Sequence, residues 1–193
     1  MKKIIFSLLI TFLLFTGHSH ACVGKILTIG ILDSTNENIL AELVSILINE
    51  RTGTTVNIKI YGDSGEIYNA VKKEEVGIVI ENTARAMKIL DMPDSGDKLK
   101  AYDISKQEFK NRLNIIWLKP FGVLTGDDGS GQYYYAPVIT EYVLINFPAL
   151  PRLINKLSDI AKDKNFQRLM ASVNSGEKTK KAAKDFLKKK KLI

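Results

Sequence analysis

VGIVI, at Val76–Ile80, is β-branched and apolar at every position except its glycine. It lies between the charged Lys72-Lys73-Glu74-Glu75 and Glu81, too short for a helix and with no polar face. Such a run predicts a central strand covered on both sides. Working outward toward the N-terminus, TTVNIKIY (Thr54–Tyr61) alternates Val56, Ile58 and Ile60 as another strand, and KILTIGIL (Lys25–Leu32) is a buried one ended by Asp33-Ser34. Between those two, Ser34 and Glu37 have capping-box spacing. Ile39, Leu40, Leu43, Ile46 and Leu47 then recur at three- and four-residue steps, a helix packed by one face and stopped at Thr52-Gly53. Asp63-Ser64-Gly65 opens a short helix through Ile67, Tyr68 and Val71, and a further helix is expected from about Glu81 to Leu90. Strand, helix, strand, helix, strand at these spacings implies an α/β protein with parallel strands joined by right-handed crossovers.

Beyond Leu90 the pattern loosens. Pro93–Lys98 breaks the chain, Lys106–Arg112 reads as a short helix, and Leu113–Leu118 is a fourth strand carrying the sole tryptophan. Gly122–Pro137, with Gly-Asp-Asp-Gly-Ser-Gly and then Tyr133-Tyr134-Tyr135, reads as a loop. Helices are expected over Ile139–Phe147, Leu150–Leu157, Asn165–Val173 and Lys178–Lys190.

The first 21 residues read as an export leader. Lys2 and Lys3 precede the apolar run Ile4–Phe15, and Ser19-His20-Ala21 offers a cleavage site. That run is short for a bilayer span, which needs roughly 20 residues. Cleavage after Ala21 would remove His18 and His20, the only two histidines of the 193 residues. A chain without histidine runs no Ser-His or Cys-His mechanism and builds no His-rich zinc site. The remaining nucleophile–base options are Ser-Lys or carboxylate pairs, and no spacing singles one out. A non-enzymatic protein without cofactor or metal is the expectation.

Cys22, the only cysteine, becomes the first residue after that cut. Two readings stand side by side: lipid attachment at Cys22, or a free or intermolecularly paired thiol in an oxidising compartment. Without Lys2 and Lys3 the chain has 26 basic against 21 acidic residues, a net of +5. Glu177–Ile193 alone carries eight lysines against Glu177 and Asp185, a net of +6, so the body is close to neutral. A DNA footprint would spread over a face with arginine readers, whereas this tail holds no arginine. The lysines read either as a solvated helix face or, at Lys188–Lys191, as a contact with an anionic membrane surface.

The Gly126–Gly131 segment lacks the Lys-Ser/Thr ending of a P-loop and the terminal Glu of a calcium loop, and reads as a solvated turn. Trp117, Phe121 and Tyr133–Tyr135 flank it, either as an aromatic cage for a quaternary ammonium ion or as core. Glu81, at the end of a central strand, is either a ligand counter-charge or a carboxylate that stabilises a helix start.

Thr35-Asn36-Glu37-Asn38-Ile39-Leu40-Ala41-Glu42, Ile80-Glu81-Asn82-Thr83-Ala84-Arg85-Ala86, Phe147-Pro148-Ala149-Leu150-Pro151 with Leu153–Leu157, and Asp185-Phe186-Leu187 come in this order. Together they resemble the substrate-binding proteins of ABC transporters for glycine betaine, choline and related osmoprotectants, over about two thirds of the exported chain. The family's tyrosine falls on Asn82 and its proline on Ile80. Members commonly run some 100 residues longer because a second lobe intervenes, for which only about Asp91–Pro137 is available here.

The resemblance implies a periplasmic binding protein type II-like fold: a doubly wound parallel-sheet lobe, a reduced second lobe and C-terminal helices. It implies residues 1–21 as signal peptide and 22–193 as the substrate-binding-protein-like domain. Function is then expected to be extracytoplasmic solute binding for an ABC permease, with a quaternary amine as ligand and no nucleic acid partner. Glu81 would be the counter-charge; Thr35, Asn36, Asn82 and Thr83 would hydrogen-bond; Trp117 or Tyr134 would give the π face. The alternative is an adaptor of the same fold that docks a protein partner or a membrane surface.

Overall fold

A computed structural model describes residues 26–193 apart from 94, 128 and 130. The leader and Cys22 lie outside the described residues. Strand β1 (Ile26–Leu32) pairs in parallel with β2 (Thr55–Tyr61) from Ile26↔Thr55 to Leu32↔Tyr61, and with β3 (Ile78–Asn82) at Ile29↔Ile78. Helix α1 (Thr35–Thr52) connects the first two strands, and α2 (Ser64–Lys72) leads to the third. α1 starts at Ser34, whose hydroxyl accepts from the Glu37 amide at 3.3 Å. It ends at Gly53, where φ of 71° requires the left-handed region that glycine enters freely. Only half of the expected capping box forms: the Glu37 carboxylate accepts instead from the Leu32 amide at 2.9 Å. That detail places a carboxyl group at the carboxyl end of β1.

The remainder is α3 (Thr83–Ile89), α4 (Lys98–Leu113), β4 (Ile115–Trp117), β5 (Gly122–Thr125) and β6 (Gln132–Thr140), followed by α5 (Glu141–Asn146), α6 (Leu150–Ile154), α7 (Lys164–Asn174) and α8 (Thr179–Lys189). The sheet order is β2-β1-β3-β6-β4, with β5 also on β6. β6 runs antiparallel to β3, β4 and β5, so the other five strands share one direction.

Two expectations change here. Gly122–Pro137 is not a loop but the hairpin of β5 and β6, closed by the Gly126 amide donating to the Gly131 carbonyl at 2.8 Å. β6 holds because β3 pairs with one edge and β4 and β5 with the other, a non-local arrangement that outweighs Pro137 in the strand. α4 starts at Lys98 instead of Lys106, since Asp97 caps it and Ala101, Tyr102, Ser105 and Phe109 form its buried stripe. The segment Asp91–Pro137 completes the one sheet, with residues 126–131 between β5 and β6.

Strand alternation divides the interior into two cores, one per sheet face. Leu27, Ile29, Ile31, Ile78, Ile80 and Ile139 face α1 and the C-terminal helices, while Val79, Ala136, Val138 and Trp117 face α2, α3 and α4. Each large apolar side chain fully buried this way contributes on the order of 2 kcal/mol. α8 buries Ala182, Ala183, Phe186 and Leu187 and turns its lysines to solvent. Lys184 meets Glu50 at 2.8 Å and Lys190 meets Asp163 at 2.5 Å. No described helix is long and apolar enough to cross a membrane.

Candidate functional site

The crossover from β1 to β2 goes one way across the sheet and the return to β3 goes the other. This reversal opens a crevice beyond the carboxyl ends of β1 and β3, the place where open α/β sheets accept ligands. A cleft of about 940 Å³ lies there. β1 delivers Leu32, Asp33 and Ser34; β3 delivers Asn82 and Thr83; the β5–β6 hairpin delivers Asp127, Gln132, Tyr133 and Tyr135. A neighbouring cleft of about 580 Å³ contains Thr35, Asn36, Thr125, Gln167 and Asn174, and shares Asp127 and Gln132 with the first. The larger one is the better candidate because it sits on the strand ends and holds the charged groups.

Its floor rests on a buried ion network. Arg85 Nε donates to Glu81 Oε1 at 2.5 Å, its Nη1 to Glu37 Oε1 at 2.6 Å and its Nη2 to the Ile80 carbonyl at 2.5 Å. The other Glu81 oxygen accepts the Tyr68 hydroxyl at 2.5 Å, and Oε1 also accepts the Asn82 amide at 2.8 Å. Burial, reinforced by Glu81, pushes the Tyr68 hydroxyl well above its ordinary value, so it stays a donor. Burial works against the Arg85 charge, but Glu81 and Glu37 more than offset it and keep the guanidinium protonated. Burial raises the Glu37 carboxyl above 4.5, with Arg85 opposing the rise. Two carboxyl groups thus share one guanidinium beneath the cleft.

The expected site residues separate. Asn82 and Thr83 line the larger cleft, Asn82 also capping α3 by accepting from the Arg85 amide at 2.9 Å. Thr35 and Asn36 line the smaller one, where Asn36 Nδ2 donates to the Thr125 carbonyl at 2.8 Å. Glu81 is 0% exposed and its carboxylate is saturated by Arg85, Tyr68 and Asn82, so a ligand cation would have to displace Arg85. Trp117 stands edge-on to Phe109 and Tyr102, with centroids 5.5 and 5.7 Å away, inside the core under α4. Tyr134 packs on Tyr102 at 5.6 Å on that same face. Because side chains alternate along β6, Tyr133 and Tyr135 point to the cleft instead. Burial pushes the Tyr135 hydroxyl up to about 12, with Asn36 opposing the shift. Sequence reasoning took Tyr133–Tyr135 as one cluster and settled on Tyr134, and it did not single out Arg85. The signals were there: the two-residue period of a strand, and the i,i+4 spacing of Glu81 and Arg85 across a strand-to-helix junction.

No protein-family model matches the chain, and no curated protein does. The structure is similar to the crystal structure of a glycine betaine/carnitine/choline ABC transporter, with a TM-score of 0.74 and 15% identity over 87% of this chain and 98% of that one. It is also similar to apo YehZ from Escherichia coli, with a TM-score of 0.71 and 16% identity over 88% of this chain and 100% of that one. At such identities the likeness defines the fold: the chain has the α/β architecture of these two structures.

Proposed function

We propose that the chain is an exported, non-enzymatic solute-binding protein of an ABC-type uptake system, taking a quaternary amine such as glycine betaine for osmoprotection. The observation that carries this reading is the pairing of two tyrosines with two carboxyl groups gathered on one guanidinium. Tyr133 and Tyr135 line a cleft beneath which Glu37 and Glu81 outnumber Arg85. Aromatic faces attract a cation that has no hydrogen to donate, and buried negative charge reinforces them. Asn82, Thr83 and Ser34 offer hydrogen bonds, and Lys88 and Lys98 on the rim suit the carboxylate of a betaine. Thr35 and Asn36 extend the polar surface into the adjoining cleft. The structurally similar glycine betaine/carnitine/choline ABC transporter supports the same solute class. Export rests on the leader at 1–21, with Cys22 as either lipid anchor or free thiol, and residues 22–193 as the domain that meets the permease.

The test is a thermal-shift and calorimetric titration against glycine betaine, choline, carnitine and proline betaine, with amino acids as controls. Ligand at 100 times its Kd adds about 2.7 kcal/mol and moves the midpoint by several degrees. No shift with any of the four amines would overturn the reading.

One observation favours a second role, as an adaptor at an anionic bilayer: Lys188, Lys189, Lys190 and Lys191 are all exposed at one end of α8. Flotation with phosphatidylserine vesicles would then be lost at high salt and on replacing these four lysines by glutamine.

A further inference from the structure

Thr52-Gly53 ends α1 just before β2, whose first residue, Thr55, pairs with Ile26 at the start of β1. The start of β3 lies at this same end of the sheet, where Ile78 pairs with Ile139 and the Thr140 amide donates to the Gly77 carbonyl at 3.0 Å. α5 follows directly from Thr140 and turns Val143 inward: a Cβ on Gly77 would stand 2.6 Å from a Val143 methyl and 2.8 Å from a Leu27 methyl. With Val143 buried, Tyr142, Leu144 and Ile145 are left at the surface, 39%, 40% and 69% exposed, and Ile26 is 66% exposed. Among the described residues six large apolar side chains are exposed, and these four share the end of the sheet opposite the cleft; Ile60 and Leu99 stand elsewhere. The C-terminal end of α8 comes to the same end, since Arg51 Nε, in the last turn of α1, donates to the Leu192 carbonyl at 2.6 Å. The exposed Lys188–Lys191 directly precede that contact.

Resting on the bilayer reading of these lysines, we propose that this end of the molecule is a membrane-docking face, on which α5 inserts Tyr142, Leu144 and Ile145 among the headgroups of an anionic bilayer while Lys188–Lys191 meet the lipid phosphates. Two observations select this occupant. The first is the combination of chemistries at one end of the fold. A bilayer interface is apolar beneath and anionic above, so it satisfies isoleucine and lysine together, and it favours tyrosine at the boundary. An apolar partner would leave the lysines uncompensated, and an acidic one would leave Ile145 in water. Two of the acids at this end are already engaged, Glu50 by Lys184 at 2.8 Å and Asp163 by Lys190 at 2.5 Å. The second observation is where the preceding chain joins the fold. Cys22 stands four residues before Ile26, a reach of about 14 Å at most. A lipid on Cys22 would therefore hold this end, and not the cleft, against the bilayer. The cleft, at the other end of the strands, then opens toward the compartment.

The experiment uses the exported form starting at residue 22 with Cys22→Ser, which leaves no cysteine, so that a polarity-sensitive fluorophore can be placed on Ile145→Cys or, at the cleft end of α4, on Leu99→Cys. Each is mixed with phosphatidylcholine vesicles with and without phosphatidylglycerol. The label at position 145 is expected to shift to the blue with the anionic vesicles, and the label at position 99 to keep its aqueous spectrum. Leu144→Ser/Ile145→Ser, checked for folding by circular dichroism, should bind those vesicles at least about tenfold more weakly. Binding that is lost on replacing the four lysines by glutamine, while the label at 145 stays aqueous, would overturn the docking face and leave the bilayer reading of the lysines intact. No binding to anionic vesicles would overturn both. A shift at 99 in place of 145 would put the cleft end on the bilayer and overturn the inference. A blue shift at 145 that grows with protein concentration in the absence of vesicles would put a second copy on this face and overturn it as well.

Discussion

Arg85→Met removes the cation that Glu37 and Glu81 share beneath the cleft floor while keeping much of the side-chain volume. Glu37 and Glu81 are then left with no positive partner, and the Ile80 carbonyl loses its donor. Arg85 is 8% exposed and Glu81 0%, so water does little to screen the loss. Breaking a buried pair by removing one partner costs about 3–5 kcal/mol. Domains of this kind have total stabilities of about 5–15 kcal/mol. At about 2–4 °C per kcal/mol for a chain of this length, the melting midpoint should fall by roughly 6–20 °C. Urea denaturation at pH 7, read by circular dichroism at unchanged m-value, measures the difference directly. The same substitution made on Glu37→Gln/Glu81→Gln should cost far less, because no buried carboxylate remains to be stranded. A loss below about 1 kcal/mol in the wild-type background would refute the view that this network is a coupled buried ion cluster. An equal loss in both backgrounds would refute it too.

Glu37→Gln tests the raised carboxyl. A folded value above 4.5 means Glu37 stabilises the fold fully below 4.5, a contribution lost as pH rises through the folded value. The Gln variant should lack that decline in a pH series of denaturation curves. Gly77→Ala should cost about 1–3 kcal/mol by thermal melting, since an added Cβ would stand 2.6 Å from a Val143 methyl and 2.8 Å from a Leu27 methyl. Tyr133→Ala should weaken quaternary-amine binding by tenfold or more in calorimetry, in line with about 1–2 kcal/mol for a cation–π contact. Trp117→Phe, placed in the core, should lower the melting midpoint and leave the affinity of the folded protein unchanged.

The first ninety residues were legible because each strand there is a short apolar run and each crossover is local. Val76–Ile80 had no alternative to a central strand. β6 was harder to read. Its partners β3 and β4 come from opposite sides of a long sequence interval, its middle holds Pro137, and three successive tyrosines mask the alternation that would have revealed it. The site followed suit. Asn82 and Thr83 were readable as the end of a buried strand, whereas the choice of Tyr134 over its neighbours depended on strand phase. Glu81 was identifiable as a charge in a special place. Its role turned on Arg85, one helical turn away, which neutralises it from inside.

The hairpin turn between β5 and β6 is also a splice point. The chain leaves the sheet on one strand and re-enters on its neighbour, with Gly126 and Gly131 joined by a single backbone hydrogen bond. A domain inserted at Asp127–Gly129 would need closely spaced termini and would stand directly above the cleft, with neither core disturbed. A fluorescent protein grafted there would turn ligand occupancy into an optical signal, and a foreign lobe grafted there could give this floor a new specificity.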